Sequence, residues 1–83
     1  MSNKILISIK VPMIEEEYDV FVPISKNIKL TIDLLVKTVN ELTLGHYPLK
    51  SGSYLLDLNG NLLDKSLTIK ESGLKNGDRL ILI

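Results

Sequence analysis

Between Lys4 and Val11 the chain reads Lys-Ile-Leu-Ile-Ser-Ile-Lys-Val. Ile5, Ile7, Ile9 and Val11 fall on one side of an extended backbone, and Leu6, Ser8 and Lys10 on the other. Period two with β-branched residues predicts a strand with one buried face. Pro12 follows, and Glu15-Glu16-Glu17 reads as a polar connection. Over residues 18–24 the alternation resumes, with Tyr18, Val20 and Val22 on one side and Asp19, Phe21 and Pro23 on the other. The two segments predict a hairpin. Pro23 has no N–H to give to a ladder, so the second strand must lie at an edge or stop there.

The period then changes. Ile28, Ile32, Leu35, Val36, Val39 and Leu42 recur at helical spacing, which predicts an amphipathic helix over residues 30–43. Gly45 offers a stop and Pro48 blocks continuation. Leu30 and Leu34 lie off the centre of the stripe, where partial exposure is expected. Residues 53–58 predict a third strand and residues 61–63 a short fourth one. Asn59-Gly60 between them suits a two-residue turn with positive φ at both positions. Leu67, Ile69 and Leu74 anchor a winding connection, and Asn76-Gly77 turns the chain into a last strand over residues 78–83.

The order is hairpin, helix, hairpin, long turn, final strand. Setting the final strand between the first and the third, parallel to the first, gives every strand a partner and leaves one face for the helix. The expected architecture is an α+β β-grasp roll: a single domain over residues 1–83, with a mixed sheet of four to five strands and one helix packed on one face.

Several stretches carry a family resemblance. Leu58-Asn-Gly-Asn-Leu-Leu63, Leu67, Ser72-Gly-Leu-Lys-Asn-Gly-Asp78 and Leu80-Ile-Leu82 resemble the second half of ubiquitin. Tyr18-Asp-Val-Phe-Val-Pro23, Ile28-Lys-Leu-Thr-Ile-Asp-Leu-Leu-Val36 and Gly77-Asp-Arg-Leu-Ile-Leu82 are similar to the EsaB/YukD family of ubiquitin-like proteins of type VII secretion systems in Gram-positive bacteria. The resemblance spans almost the whole chain. It implies a ubiquitin-like fold and a non-enzymatic, cytoplasmic accessory or regulatory role. The implied partners are cytosolic domains of membrane-bound secretion components, either a pseudokinase-like subunit or the ATPase. Ubiquitin-like modifiers and sulfur carriers use a flexible Gly-Gly tail. This sequence reads to Ile83 within its last predicted strand without one, as EsaB/YukD proteins do, so the rival reading as sulfur carrier or protein modifier is disfavoured.

Composition narrows the remaining classes. Ten basic and ten acidic residues give zero formal charge, and the cations are interleaved with acids. Nucleic-acid binding draws on clustered Lys and Arg, so it is not expected. The longest apolar run is Leu80-Ile81-Leu82-Ile83, far too short to insert in a membrane. With no cysteine there is neither a disulfide frame nor a thiolate metal site. His46 is the only histidine and reads as a loop residue. Glu15-Glu16-Glu17 reads as a solvated loop and not a metal site, because consecutive carboxylates in a strand diverge. Asn59-Gly60 and Asn76-Gly77 are turn signals and not phosphate loops. No catalytic, cofactor-binding or metal-binding residue is expected.

The informative feature is the sheet face turned away from the helix. If Ile5, Ile7, Ile9, Leu56, Leu58, Leu80 and Leu82 point inward, then Leu6, Ser8, Lys10, Leu55, Asp57, Ile81 and Ile83 point outward, with Phe21 at the rim. Four of those seven are large aliphatics. Contiguous exposed apolar surface marks interaction sites, and by resemblance this is the face ubiquitin presents to its readers. A weak homo-oligomer joined through this face or an edge strand is a further alternative.

Overall fold

The computed structural model describes residues 3–83. Strand β1, Lys4–Val11, turns through a short 3-10 segment, Pro12–Ile14, into strand β2, Glu16–Pro23. Helix α1, Ile28–Leu42, follows, and then strands β3, Leu55–Leu56, and β4, Arg79–Leu82. The sheet order is β2-β1-β4-β3. β1 pairs antiparallel with β2 and parallel with β4, and β3 pairs antiparallel with β4. This is the ubiquitin-like β-grasp roll that the element order predicts, with the final strand inserted beside the first. Four strands form. The expected fourth strand over residues 61–63 contributes only a single bridge, Leu56↔Leu62.

The helix covers one face of the sheet because its buried side chains are the expected stripe: Ile28, Ile32, Leu35, Val36 and Val39, joined by Thr31. They pack with Ile7, Ile9, Val11, Val22, Leu80 and Leu82 in one core. The helix begins two residues before its predicted start because Asn27 caps it. The Asn27 side chain accepts from Leu30 N–H at 2.8 Å, satisfying a donor that the first turn leaves orphaned. Leu42 departs from the stripe reading and is exposed. The chain folds back after the helix and buries Tyr47 instead: Tyr47 N–H donates to Thr43 Oγ1, and Asn40 Nδ2 donates to Tyr47 O.

Termination also differs in detail. Leu44 N–H donates to Glu41 O and Gly45 N–H to Asn40 O at 2.7 Å, the paired bonds of a Schellman end. The residue at the left-handed position where glycine is usual is Leu44, with φ 53°.

Three expectations about turns and strands are corrected. Only Glu15 of the acidic run is a connection; Glu16 and Glu17 belong to β2, because Glu15 at φ 54° closes a tight turn on Pro12. At Asn59-Gly60 only Gly60 has positive φ. Gly60 N–H donates to Asp57 O and Asp57 N–H to Asn61 O, which is the wider, bulged form of hairpin turn. In the third strand Leu55 is buried and Leu58 is exposed, the reverse of the expected parity. Leu55 lies opposite Leu82 and Leu56 opposite Ile81. A slip of one residue turns every side chain to the other face, and the inward-facing Leu82 fixes which leucine is core.

Candidate functional site

The open face of the sheet assembles from alternate residues of all four strands. Across β1 and β2 the outward pairs are Leu6↔Phe21, Ser8↔Asp19 and Lys10↔Glu17. Across β1 and β4 they are Ser8↔Arg79 and Lys10↔Ile81, and Leu56↔Ile81 completes the row on β3. Ile83 and Tyr54 exchange backbone N–H···O bonds at 3.0 and 3.1 Å, which extends the ladder by one more pair.

Six of the eight residues expected on this surface take the outward sheet positions: Leu6, Ser8, Lys10, Phe21, Ile81 and Ile83. Phe21, expected at the rim, stands directly opposite Leu6 and is 69% exposed. Leu55 does not belong to the surface: it is fully buried in the core. Asp57 serves the following turn. Its carboxylate accepts from the N–H groups of Asn59 and Asn61 at 2.9 and 3.0 Å and from Asn61 Nδ2 at 3.1 Å. The Asn61 backbone N–H, then its side chain and the Asn59 N–H, hold the Asp57 carboxyl below the usual carboxylate range.

Sequence reasoning missed Leu56, which takes the outward place on β3, and Tyr54, which pairs with Ile83 just before that strand. Their signal was parity: Tyr54 and Leu56 share a face, so burying Leu55 exposes both. Lys65 Nζ lies 3.9 Å from the Tyr54 ring centroid, a cation–π contact that holds the ring at the edge of the surface.

The surface is not uniformly apolar. Tyr54, Leu56, Ile81 and Ile83 form one apolar strip along β3 and β4. Leu6 and Phe21 form another at the far end of β1 and β2. Between them Glu17 Oε1 accepts from Ser8 Oγ at 2.8 Å and from Arg79 Nη2 at 3.1 Å. The Ser8 hydroxyl, and after it the Arg79 guanidinium, hold the Glu17 carboxyl below its ordinary range. Such a face can bind a complementary protein surface: apolar contacts supply affinity, and the fixed charges set orientation.

His46 is exposed in the turn after the helix. Among the described residues no group of His, Asp and Glu converges as a metal site would require, and no helix is long and apolar enough to cross a membrane.

No protein-family model matches the chain, and no curated protein matches it. Solved structures do. The ubiquitin-like domain of EccD5 from Mycobacterium xenopi is 26% identical, with a TM-score of 0.82 over 99% of this chain and 94% of that domain. The ubiquitin-like domain of the type VII secretion system protein ECCD1 of Mycobacterium tuberculosis is 14% identical, with a TM-score of 0.73 over 100% of this chain and 99% of that one. A component of the MycP5-free ESX-5 inner membrane complex superposes with a TM-score of 0.82 at 20% identity. This chain is matched over 99% of its length and spans 21% of that component. The chain thus has the ubiquitin-like β-grasp fold, and it is similar to ubiquitin-like domains of type VII secretion proteins.

Proposed function

We propose that this protein is a non-enzymatic accessory or regulatory component of a type VII secretion system, of the EsaB/YukD kind from Gram-positive bacteria. In this reading it acts in the cytoplasm by docking on cytosolic domains of membrane-bound components, the pseudokinase-like subunit or the ATPase. The observation that carries the reading is the apolar strip Tyr54–Leu56–Ile81–Ile83 on the sheet face opposite the helix, with Tyr54 and Ile83 exposed and Leu56 and Ile81 half-buried. The likeness to ubiquitin-like domains of type VII secretion proteins, one of them within an inner membrane complex, supplies the setting.

Ile81→Asp tests it. Ile81 sits between Lys10 and Leu56 on the open face, so an aspartate there meets water and a lysine, and the fold is retained. The variant should fail to co-purify with the secretion membrane complex while its amide spectrum stays native. Undiminished co-purification would reject this surface.

A further inference from the structure

Strand β2 is eight residues long and is paired on one side only, whereas β3 at the opposite edge has two residues. Native sheets keep exposed edges short or covered, because free backbone groups recruit another strand. The free groups on β2 can be named. Ile24 N–H donates to Asn3 O at 2.9 Å, continuing the β1–β2 register. On the other side of β1, Ser8 N–H donates to Asp78 O and Leu6 O accepts from Gly77 N–H. Even-numbered residues of β1 therefore bond toward β4, and odd-numbered ones bond to the even-numbered residues of β2. Glu17, Asp19 and Phe21 are left with N–H and C=O turned to the open side.

Beside this edge lies a groove between β2 and α1 of about 330 Å³, lined chiefly by Val20, Val22, Pro23, Leu34, Leu35 and Thr38. Leu34, on the outer wall, is 54% exposed. A strand added to β2 would send alternate side chains into this groove, the side-chain pocket that strand addition needs for specificity.

Charge selects the occupant. Glu15, Glu16, Glu17 and Asp19 make the strand and its lead-in acidic, with no cation between residues 15 and 23. Among the described residues the ion pairs are Lys29–Asp33 and Arg79–Glu17, so Glu15, Glu16 and Asp19 are in no ion pair there. A second copy of this chain, pairing β2 with β2 antiparallel in the register centred on Asp19, would set Asp19 against Asp19; like charges directly opposite destabilise a pair. We propose that β2 accepts an extended segment of a partner protein, aliphatic at the alternate positions that enter the β2–α1 groove and basic where it passes Glu15, Glu16 and Asp19. This edge is separate from the Ile81 strip and does not rest on the secretion reading.

The probe is the synthetic peptide Lys-Arg-Val-Thr-Val-Ser-Val-Gly, acetylated and amidated, titrated into the full chain and followed by NMR. The largest shifts should fall on the amides of Glu17, Asp19 and Phe21 and the methyls of Val20 and Leu34. Hydrogen exchange at those three amides should slow. The counterpart with Glu replacing Lys and Arg should bind about tenfold more weakly or not at all. Leu34→Lys, at an exposed site, should abolish binding, as should Asp19→Pro, which removes one edge donor. Ile81→Asp should bind as the parent chain does, which separates this edge from the open face. Absence of saturable binding, equal binding of the acidic peptide, or shifts confined to the open face would overturn the proposal. So would a dimer of the free chain that Leu34→Lys disperses.

Discussion

Leu55 and Leu82 are partners across the β3–β4 ladder, and both are almost completely buried, at 0% and 1% exposure. Their neighbours Leu56 and Ile81 form the adjacent pair on the opposite, open face. Two consecutive leucines of the same chemistry therefore have different energetic roles. Leu55→Ala should lower stability by about 2–5 kcal/mol, through lost burial and a core cavity. Leu56→Ala, on a half-buried surface, should cost under about 1.5 kcal/mol. Urea unfolding of both variants checks the order; the opposite order would mean that β3 sits one residue out of register.

The same pair shows where the fold was legible and where it was not. β1 and β2 carry clear alternation and α1 a helical stripe, so these elements and the face they bury follow from pattern. Leu80-Ile81-Leu82-Ile83 is apolar on both parities, and the place of β4 between β1 and β3 follows only from giving every strand a partner. Tyr54-Leu55-Leu56 carries apolar residues on both parities. The two-residue β3 then takes its register from its partner strand, a long-range fact that no local window contains. The β2–α1 groove was invisible for a related reason. It arises where a covering helix meets an edge strand, and its walls, Val22 and Leu35, read as ordinary core residues.

Leu44 occupies the left-handed position that ends the helix, at φ 53°, with its side chain 96% exposed. A leucine there carries the steric cost of Cβ against backbone and gains no packing in return. Leu44→Gly relieves that strain but adds freedom to the unfolded chain. The net effect should be stabilisation of about 0.5–1 kcal/mol. A shift of the urea midpoint to higher concentration with an unchanged slope is the expected readout, and a lower midpoint would contradict it.

Tyr47 is fully buried, yet its hydroxyl has no hydrogen-bonding partner among the described residues. Its backbone is well held, by Thr43 Oγ1 and Asn40 Nδ2, so the ring is placed by the chain and by packing, not by the hydroxyl. Burying an unpartnered hydroxyl costs free energy, of the order of 1–3 kcal/mol. Tyr47→Phe should therefore hold or raise stability, whereas Tyr47→Ala should lose about 3–5 kcal/mol by emptying the site. Thermal unfolding of the two variants separates these roles, and a marked loss for Tyr47→Phe would mean that the hydroxyl is satisfied in solution.

Glu17 links Ser8 and Arg79 across the centre of the open face, and its carboxyl is held below the ordinary glutamate range first by the Ser8 hydroxyl and then by Arg79. For an acid whose folded pKa is depressed, the stabilising contribution is fully present above the unfolded value and is lost as pH falls through the folded one. The parent chain and Glu17→Gln should therefore differ in stability at neutral pH and draw closer as the solution is acidified past that point. Because the hydroxyl contact leads, Ser8→Ala should raise the Glu17 midpoint more than Arg79→Gln does. Added salt should weaken the exposed Arg79 contribution and leave the Ser8 one largely intact. Carbon-detected NMR titration of the Glu17 carboxyl in the three proteins reads both effects directly. An unshifted midpoint in Ser8→Ala would show that the hydroxyl does not hold the carboxylate, and the polar divide between the two apolar strips would then rest on Arg79 alone.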